Sequence, residues 1–104
     1  MKKTKFGDCV LMEDLNLLVC RQQKVRIEPK TKVLLGYLIR QNPEVVSREE
    51  LLDHVWHGVS VSADAFYRGI CKLRKSLQAV GSQQVQLETI PKTGYRVVQA
   101  ETGF

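Results

Sequence analysis

Between Ala65 and Val98 the basic residues are Arg68, Lys72, Arg74, Lys75, Lys92 and Arg96, and the one acid is Glu88. That excess equals the formal net charge of the whole 104-residue chain, +5, while the first half is nearly balanced apart from its N-terminal lysines. Guanidinium and ammonium groups gathered in one segment suit a polyanion. They neutralise phosphates, and a lysine or arginine can also donate to the acceptor edge of a guanine. Charge by itself favours anionic partners without identifying one.

Other chemistries find little support. The three cysteines, Cys9, Cys20 and Cys71, form no CxxC pair and are odd in number, which fits reduced thiols in the cytoplasm better than a disulfide scaffold. His54 and His57 stand far from any cysteine in sequence, so no metal is expected and no cofactor motif is seen. There is no phosphate loop or nucleophile–base pairing, and an enzyme is not expected. No apolar run approaches the ~18–20 residues of a membrane-spanning helix. Met1–Lys5 is basic like the start of a secretory leader, but Gly7-Asp8 follows it in place of an apolar segment. The chain as given is expected to be cytoplasmic, without membrane contact of its own.

The elements that must position these cations fit one domain, 1–104, with 43% hydrophobic residues for a single core. A sheet is expected over about 5–28. Its candidate strands are Phe6–Met12, Leu17–Cys20 and the alternating Val25-Arg26-Ile27, with Arg21–Lys24 as a turn. Pro29 suits a first helical turn, and Leu34, Leu35, Leu38 and Ile39 make the stripe of a helix over about 30–42, stopped by Asn42-Pro43.

Ser47-Arg48-Glu49-Glu50 reads as a capping box, the Ser47 hydroxyl accepting from the Glu50 amide and the Glu50 carboxylate reaching back to the Ser47 amide. The helix it starts should cover about 47–56, bury Leu51, Leu52, Val55 and part of Trp56, and end at Gly58. After the loop His57–Val61, Ser62 caps a third helix over about 62–79, with Ser60 as a competing cap. Ala63, Phe66, Ile70, Leu73 and Leu77 share its apolar face. Asp64, Arg68, Cys71, Lys72 and Lys75 share the opposite face, with Tyr67 and Arg74 at the margins. Val85, Leu87 and Thr89, the turn Pro91–Gly94 and the return Tyr95–Val98 make a hairpin over about 84–99. The fold class is therefore α+β: a winged helix-turn-helix with an N-terminal antiparallel sheet, a three-helix core and a C-terminal β-hairpin wing.

Three motifs in this order resemble OmpR/PhoB-type winged-helix domains. They are Val46-Ser47-Arg48-Glu49-Glu50-Leu51-Leu52 with Val55-Trp56, then Leu73–Leu77, then Glu88–Val97. The Pro-Lys-x-Gly-Tyr wing and the Ala-Phe-Tyr-Arg-Gly-Ile helix look most like the CadC/ToxR-like branch of membrane-anchored transcription regulators. The resemblance covers about Phe6 to Val98. It implies a four-stranded N-terminal sheet, a third helix that reads the major groove of double-stranded promoter DNA, and a wing tip in the minor groove. It also implies the cytoplasmic head of a single-pass inner-membrane regulator with a periplasmic sensor.

On that frame Arg68 and Lys72 are the central base-reading candidates, joined on the helix by Ser62, Tyr67, Arg74 and Lys75. Lys92 at the turn suits a narrow minor groove, and Thr89, Thr93, Tyr95 and Arg96 suit phosphates. Tyr95 and Arg96 can equally brace the hairpin. Arg48 in the first turn of its helix is a phosphate candidate. Trp56 is mostly core, although the resemblance implies an indole N–H directed at a phosphate. Relatives outside the branch often carry an arginine where this chain has Pro91, so the minor-groove role moves to Lys92. Asp64 would repel phosphate unless it accepts from a cytosine amine. Cys71 reads as a small filler on the DNA-facing side before it reads as a redox switch.

Self-association on DNA is a further expectation. The alternative function is a protein-interaction winged helix that contacts RNA polymerase or a partner regulator through the loop His57–Val61 and binds DNA weakly.

Overall fold

The chain's first apolar stretch folds back on itself at Gly7. In the structure, a computed structural model that describes residues 2–99, β1 (Lys3–Phe6) and β2 (Cys9–Met12) pair antiparallel. The expected strand Phe6–Met12 is thus a hairpin with Gly7-Asp8 as its turn. Gly7 takes a φ of +58°, and a Cβ there would meet the Val85 side chain at 3.0 Å, so the turn is open to glycine and tight for anything larger. After a single 3-10 turn, Glu13–Leu15, β3 (Leu17–Cys20) and β4 (Gln23–Arg26) complete a four-stranded antiparallel sheet of order β1-β2-β3-β4.

The expected turn Arg21–Lys24 shrinks to Arg21-Gln22. Arg21 adopts a left-handed φ of 58°, which lets two residues close the hairpin while Gln23 and Lys24 pair with Cys20 and Val19. Ile27 lies beyond the strand, and its amide donates to the Asn16 carbonyl at 2.9 Å.

Helix α1 (Pro29–Gln41) carries Pro at its start, where a missing N–H costs nothing, and buries Thr31, Leu34, Leu35, Gly36 and Leu38. Helix α2 (Arg48–His54) is capped as expected by the Ser47 hydroxyl, which accepts from the Glu50 amide at 3.1 Å. The reciprocal half of the capping box is replaced: the Tyr37 hydroxyl of α1 donates to the Glu50 carboxylate. The helix also stops two residues before Trp56. His57 and Gly58 take φ of 54° and 73°, and the Gly58 amide reaches back to the Leu52 carbonyl at 3.1 Å. That bond satisfies an orphan carbonyl and leaves Trp56 in the turn.

Helix α3 (Ala63–Ala79) begins at Ser62, whose hydroxyl accepts from the Ala65 amide at 3.1 Å. Phe66, Ile70, Leu73 and Leu77 are buried at three- and four-residue spacing. Ala63, expected on that stripe, is exposed because the first turn stands outside the core. β5 (Val85–Ile90) and β6 (Gly94–Gln99) form the hairpin. A backbone bridge between Val46 and Tyr95 ties that hairpin to the segment entering α2.

One buried cluster joins Cys9, Leu11, Leu18 and Cys20 of the sheet to Leu34 and Leu38 of α1, Leu51 of α2, the α3 stripe, and Leu87 and Val97 of the hairpin. Each buried aliphatic contributes roughly 1.5–3 kcal/mol. Short strands, a helix-turn-helix and a C-terminal wing make the winged helix-turn-helix expected from the sequence.

Candidate nucleic-acid interface

With its inner stripe in the core, α3 must present the opposite face outward, and Asp64, Tyr67, Arg68, Cys71, Lys72 and Lys75 are all exposed there. Two grooves flank this face. The first runs between α3 and the hairpin and is lined by Arg48, Tyr67, Thr89, Lys92, Thr93 and Tyr95, together with Glu49, Ile90 and Gly94. Six sequence candidates, drawn from α2, α3 and the wing, therefore meet in one channel. The Arg48 guanidinium lies over Phe66 and Tyr67, 5.3 and 5.9 Å from the ring centres. That stacking orients its planar donors without using them.

The wing tip is a tight turn closed by the Thr93 amide on the Ile90 carbonyl at 3.0 Å. Pro91 supplies its preset φ, and Lys92 follows with a left-handed φ of 61°, a position where glycine or asparagine is usual. A lysine held in that conformation puts its charge at the apex at a conformational cost, which fits a binding role. The Thr93 hydroxyl donates to the Pro91 carbonyl at 3.3 Å.

Tyr95 is 8% exposed and packs against Phe66 with ring centres 5.8 Å apart. Burial, reinforced by the neighbouring Tyr67, pushes its phenol up from the ordinary value. Its ring is a core element whose edge reaches the groove. Arg96 bonds Glu88, its direct cross-strand partner, at 2.5 Å, so its guanidinium braces the hairpin. Arg74 donates to the Thr89 hydroxyl oxygen at 2.8 Å and fastens α3 to the wing.

The second groove lies on the other side of α3, against the start of α1. Trp56, Arg68 and Lys72 line it with Glu28, Lys30 and Gly69. Lys30 donates to the Val55 carbonyl at 3.1 Å and stands 5.8 Å over the Trp56 ring. Gly69 is there because of the indole: a Cβ on it would meet two Trp56 ring carbons at 3.0 and 3.2 Å. Lys72 donates to Glu28 at 2.9 Å. Ser62 and Lys75 line neither groove, Ser62 serving as the α3 cap and Lys75 exposed on the outer face.

Glu28 and Lys30 escaped the sequence reading, because both lie outside the basic segment and only tertiary packing brings α1 to α3. Of the six basic residues in that segment, Lys72 and Arg96 face a carboxylate among the described residues. The surface between the two grooves thus offers exposed cations on a helix, a stacked arginine and a lysine-tipped turn. That combination can neutralise successive phosphates while a helix face enters a groove.

Among the described residues no helix is long and apolar enough to cross a membrane. The sequence profile of transcriptional regulatory protein C-terminal domains matches residues 22–97. The chain is 30% identical over 95 residues to the transcriptional activator CadC of Escherichia coli K12, covering 90% of this chain and 19% of CadC. It is 36% identical over 95 residues to the transcriptional regulator HilA of Salmonella typhimurium LT2, covering 91% of this chain and 17% of HilA. The chain therefore spans less than a fifth of these relatives. The solved DNA-binding domain of Escherichia coli CadC superposes with a TM-score of 0.82 at 28% identity, covering 93% of this chain and 91% of that domain.

Proposed function

The chain belongs to the family of transcriptional regulatory protein C-terminal domains, of the OmpR/PhoB type, and from that membership we propose that it binds double-stranded promoter DNA sequence-specifically to regulate transcription. The observation that carries this is the continuity of the outer α3 face with the groove that leads to Lys92. An α-helix fits the ~12 Å major groove, and a hairpin beside it reaches the adjacent minor groove.

In this reading Arg68 and Lys72 address base edges in the major groove. Arg48, Tyr67, Arg74, Lys75, Thr89 and Thr93 hold phosphates, and Lys92 enters the minor groove. Trp56, Tyr95 and Arg96 act chiefly by shaping the surface, while Ser62 starts the helix that reads. The domain is the cytoplasmic DNA-binding head of a CadC-like membrane-anchored regulator. Heads held in pairs would engage repeated half-sites.

The test is binding to promoter fragments and to scrambled duplexes across a salt series. A log affinity that falls linearly with log salt, together with selectivity of at least about 10³ for one sequence, is the expected outcome. Salt-independent binding, or equal affinity for all duplexes, would refute specific reading.

A second reading has one observation of its own. Val59 is 63% exposed in the loop between α2 and α3, held out by the left-handed residues His57 and Gly58. That tip suits contact with RNA polymerase. A Val59→Asp variant that keeps DNA affinity but loses promoter activation would support a polymerase contact added to DNA binding.

A further inference from the structure

The ammonium of Lys72 donates to both carboxylate oxygens of Glu28, at 2.9 and 3.2 Å, across 44 positions of sequence. The two side chains are 54% and 58% exposed, so the pair sits on the rim of the α1–α3 groove. Among the described residues Glu28 is the one acid lining that groove, beside Lys30, Arg68 and Lys72. It occupies the N-cap position of α1, yet its side chain makes no cap bond, and Pro29 behind it has no N–H to satisfy. The carboxylate's charge favours the positive end of α1, but its oxygens bond no helix amide and are given to Lys72. It stands where three cations would draw a phosphate.

We propose, resting on the DNA-binding reading above, that Glu28 is a built-in competitor for phosphate that holds Lys72 until a cognate base replaces it. An exposed ion pair of this kind is worth at most about a fivefold shift in equilibrium, so a well-placed acceptor on a base edge displaces it readily. A phosphate on unrelated DNA must displace Glu28 and then lie beside its negative charge. Glu28 thus penalises non-specific complexes more than cognate ones, a repulsive contribution to specificity. It also neutralises Lys72 internally. On random DNA that lysine then releases few counterions, whereas a freed lysine adds about 0.9 to the magnitude of the salt slope.

The experiment compares wild type, Glu28→Gln, Lys72→Ala and the double variant on a random-sequence duplex and on a duplex selected from a random pool, each over a salt series. Glu28→Gln should tighten random-duplex binding about three- to tenfold, since it removes both the pair and the like-charge repulsion. It should steepen the salt slope by about one, tighten the selected duplex less, and so lower the specificity ratio. In the Lys72→Ala background the added slope should vanish.

An unchanged slope, an equal gain on both duplexes, or the same gain without Lys72 would overturn the role of Glu28. The last of these would mean a bulk charge effect. Wild-type binding that ignores salt would remove the DNA reading and this inference together, whereas salt-dependent wild-type binding with an inert Glu28→Gln removes this inference alone. Far-UV circular dichroism and a thermal melt show that each variant is folded.

Discussion

A Cβ placed on Gly94 would stand 2.1 Å from the carbonyl oxygen of Val46. The same carbonyl accepts from the Tyr95 amide at 2.9 Å, and the Val46 amide donates to the Tyr95 carbonyl at 2.7 Å. The wing is therefore locked by backbone to the segment that enters α2, at a separation no side chain fits. Gly94→Ala must part this bridge and loosen the Tyr95 ring from Phe66. A loss of about 3 kcal/mol or more is expected in urea unfolding. Replacing a glycine whose surroundings tolerate Cβ would instead stabilise by up to about 1 kcal/mol, so a variant as stable as wild type would refute the close approach.

Asp8 links the first hairpin to the loop after α3. Its carboxylate accepts from the Ser82 hydroxyl at 2.8 Å and the Gln83 amide at 3.0 Å, and its side chain is 7% exposed. Burial pushes the carboxyl up, but the bonds from the Gln83 amide and the Ser82 hydroxyl outweigh it and hold the value at about 2. The folded value lies below the unfolded one, near ~3.9. Asp8 thus contributes stability that is fully present above about pH 4 and lost as pH falls toward 2. Asp8→Asn should cost about 2 kcal/mol at pH 7 and flatten the stability profile across that window. Parallel profiles for variant and wild type would refute the assignment.

Local chemistry was legible in the sequence and long-range pairing was not. The Ser47 and Ser62 caps bond amides three residues away, and the stripe Phe66, Ile70, Leu73, Leu77 follows from helix geometry. Each is decided within a turn or two. The two-residue turn Gly7-Asp8 is hidden in the sequence because apolar Phe6 and Cys9 flank it, and two short strands in line look like one. Glu50 looked committed to its own helix until Tyr37 arrived from α1. At the candidate site the basic residues of α3 and the wing could be listed from their spacing alone. Their division between two grooves, and the partners Glu28 and Lys30, depend on where α1 packs.

Cys71 offers a footprint of the outer α3 face. It is exposed, whereas Cys9 and Cys20 are buried, and burial pushes the Cys9 thiol up to about 12 and the Cys20 thiol up as well. Thiolates, not thiols, react. A maleimide should therefore modify one thiol per native chain and three after denaturation. A bulky adduct on Cys71 should weaken DNA binding at least about tenfold by blocking entry of the helix into a ~12 Å groove. Cys71→Ser treated identically should bind as before. Full binding by the adduct would exclude this face from the interface.

Lys72 and Lys92 carry the same charge on different scaffolds and should act differently. Lys72 projects from the middle of a helix whose inner face is fixed in the core, so on the proposed DNA-binding reading its reach to a base edge would be set by the register of α3. Lys92 rides the apex of a turn in a left-handed conformation, where on the proposed DNA-binding reading it would meet backbone and groove floor with little sequence information. Lys72→Ala should cost about 1–3 kcal/mol on the selected duplex and much less on random DNA, flattening base preference at one position. Lys92→Ala should weaken both duplexes by a similar factor and reduce the salt slope by about one. Selection from random DNA reads the first effect, and titration against salt reads the second. Identical selectivity profiles for the two variants would refute the division of labour between helix and wing.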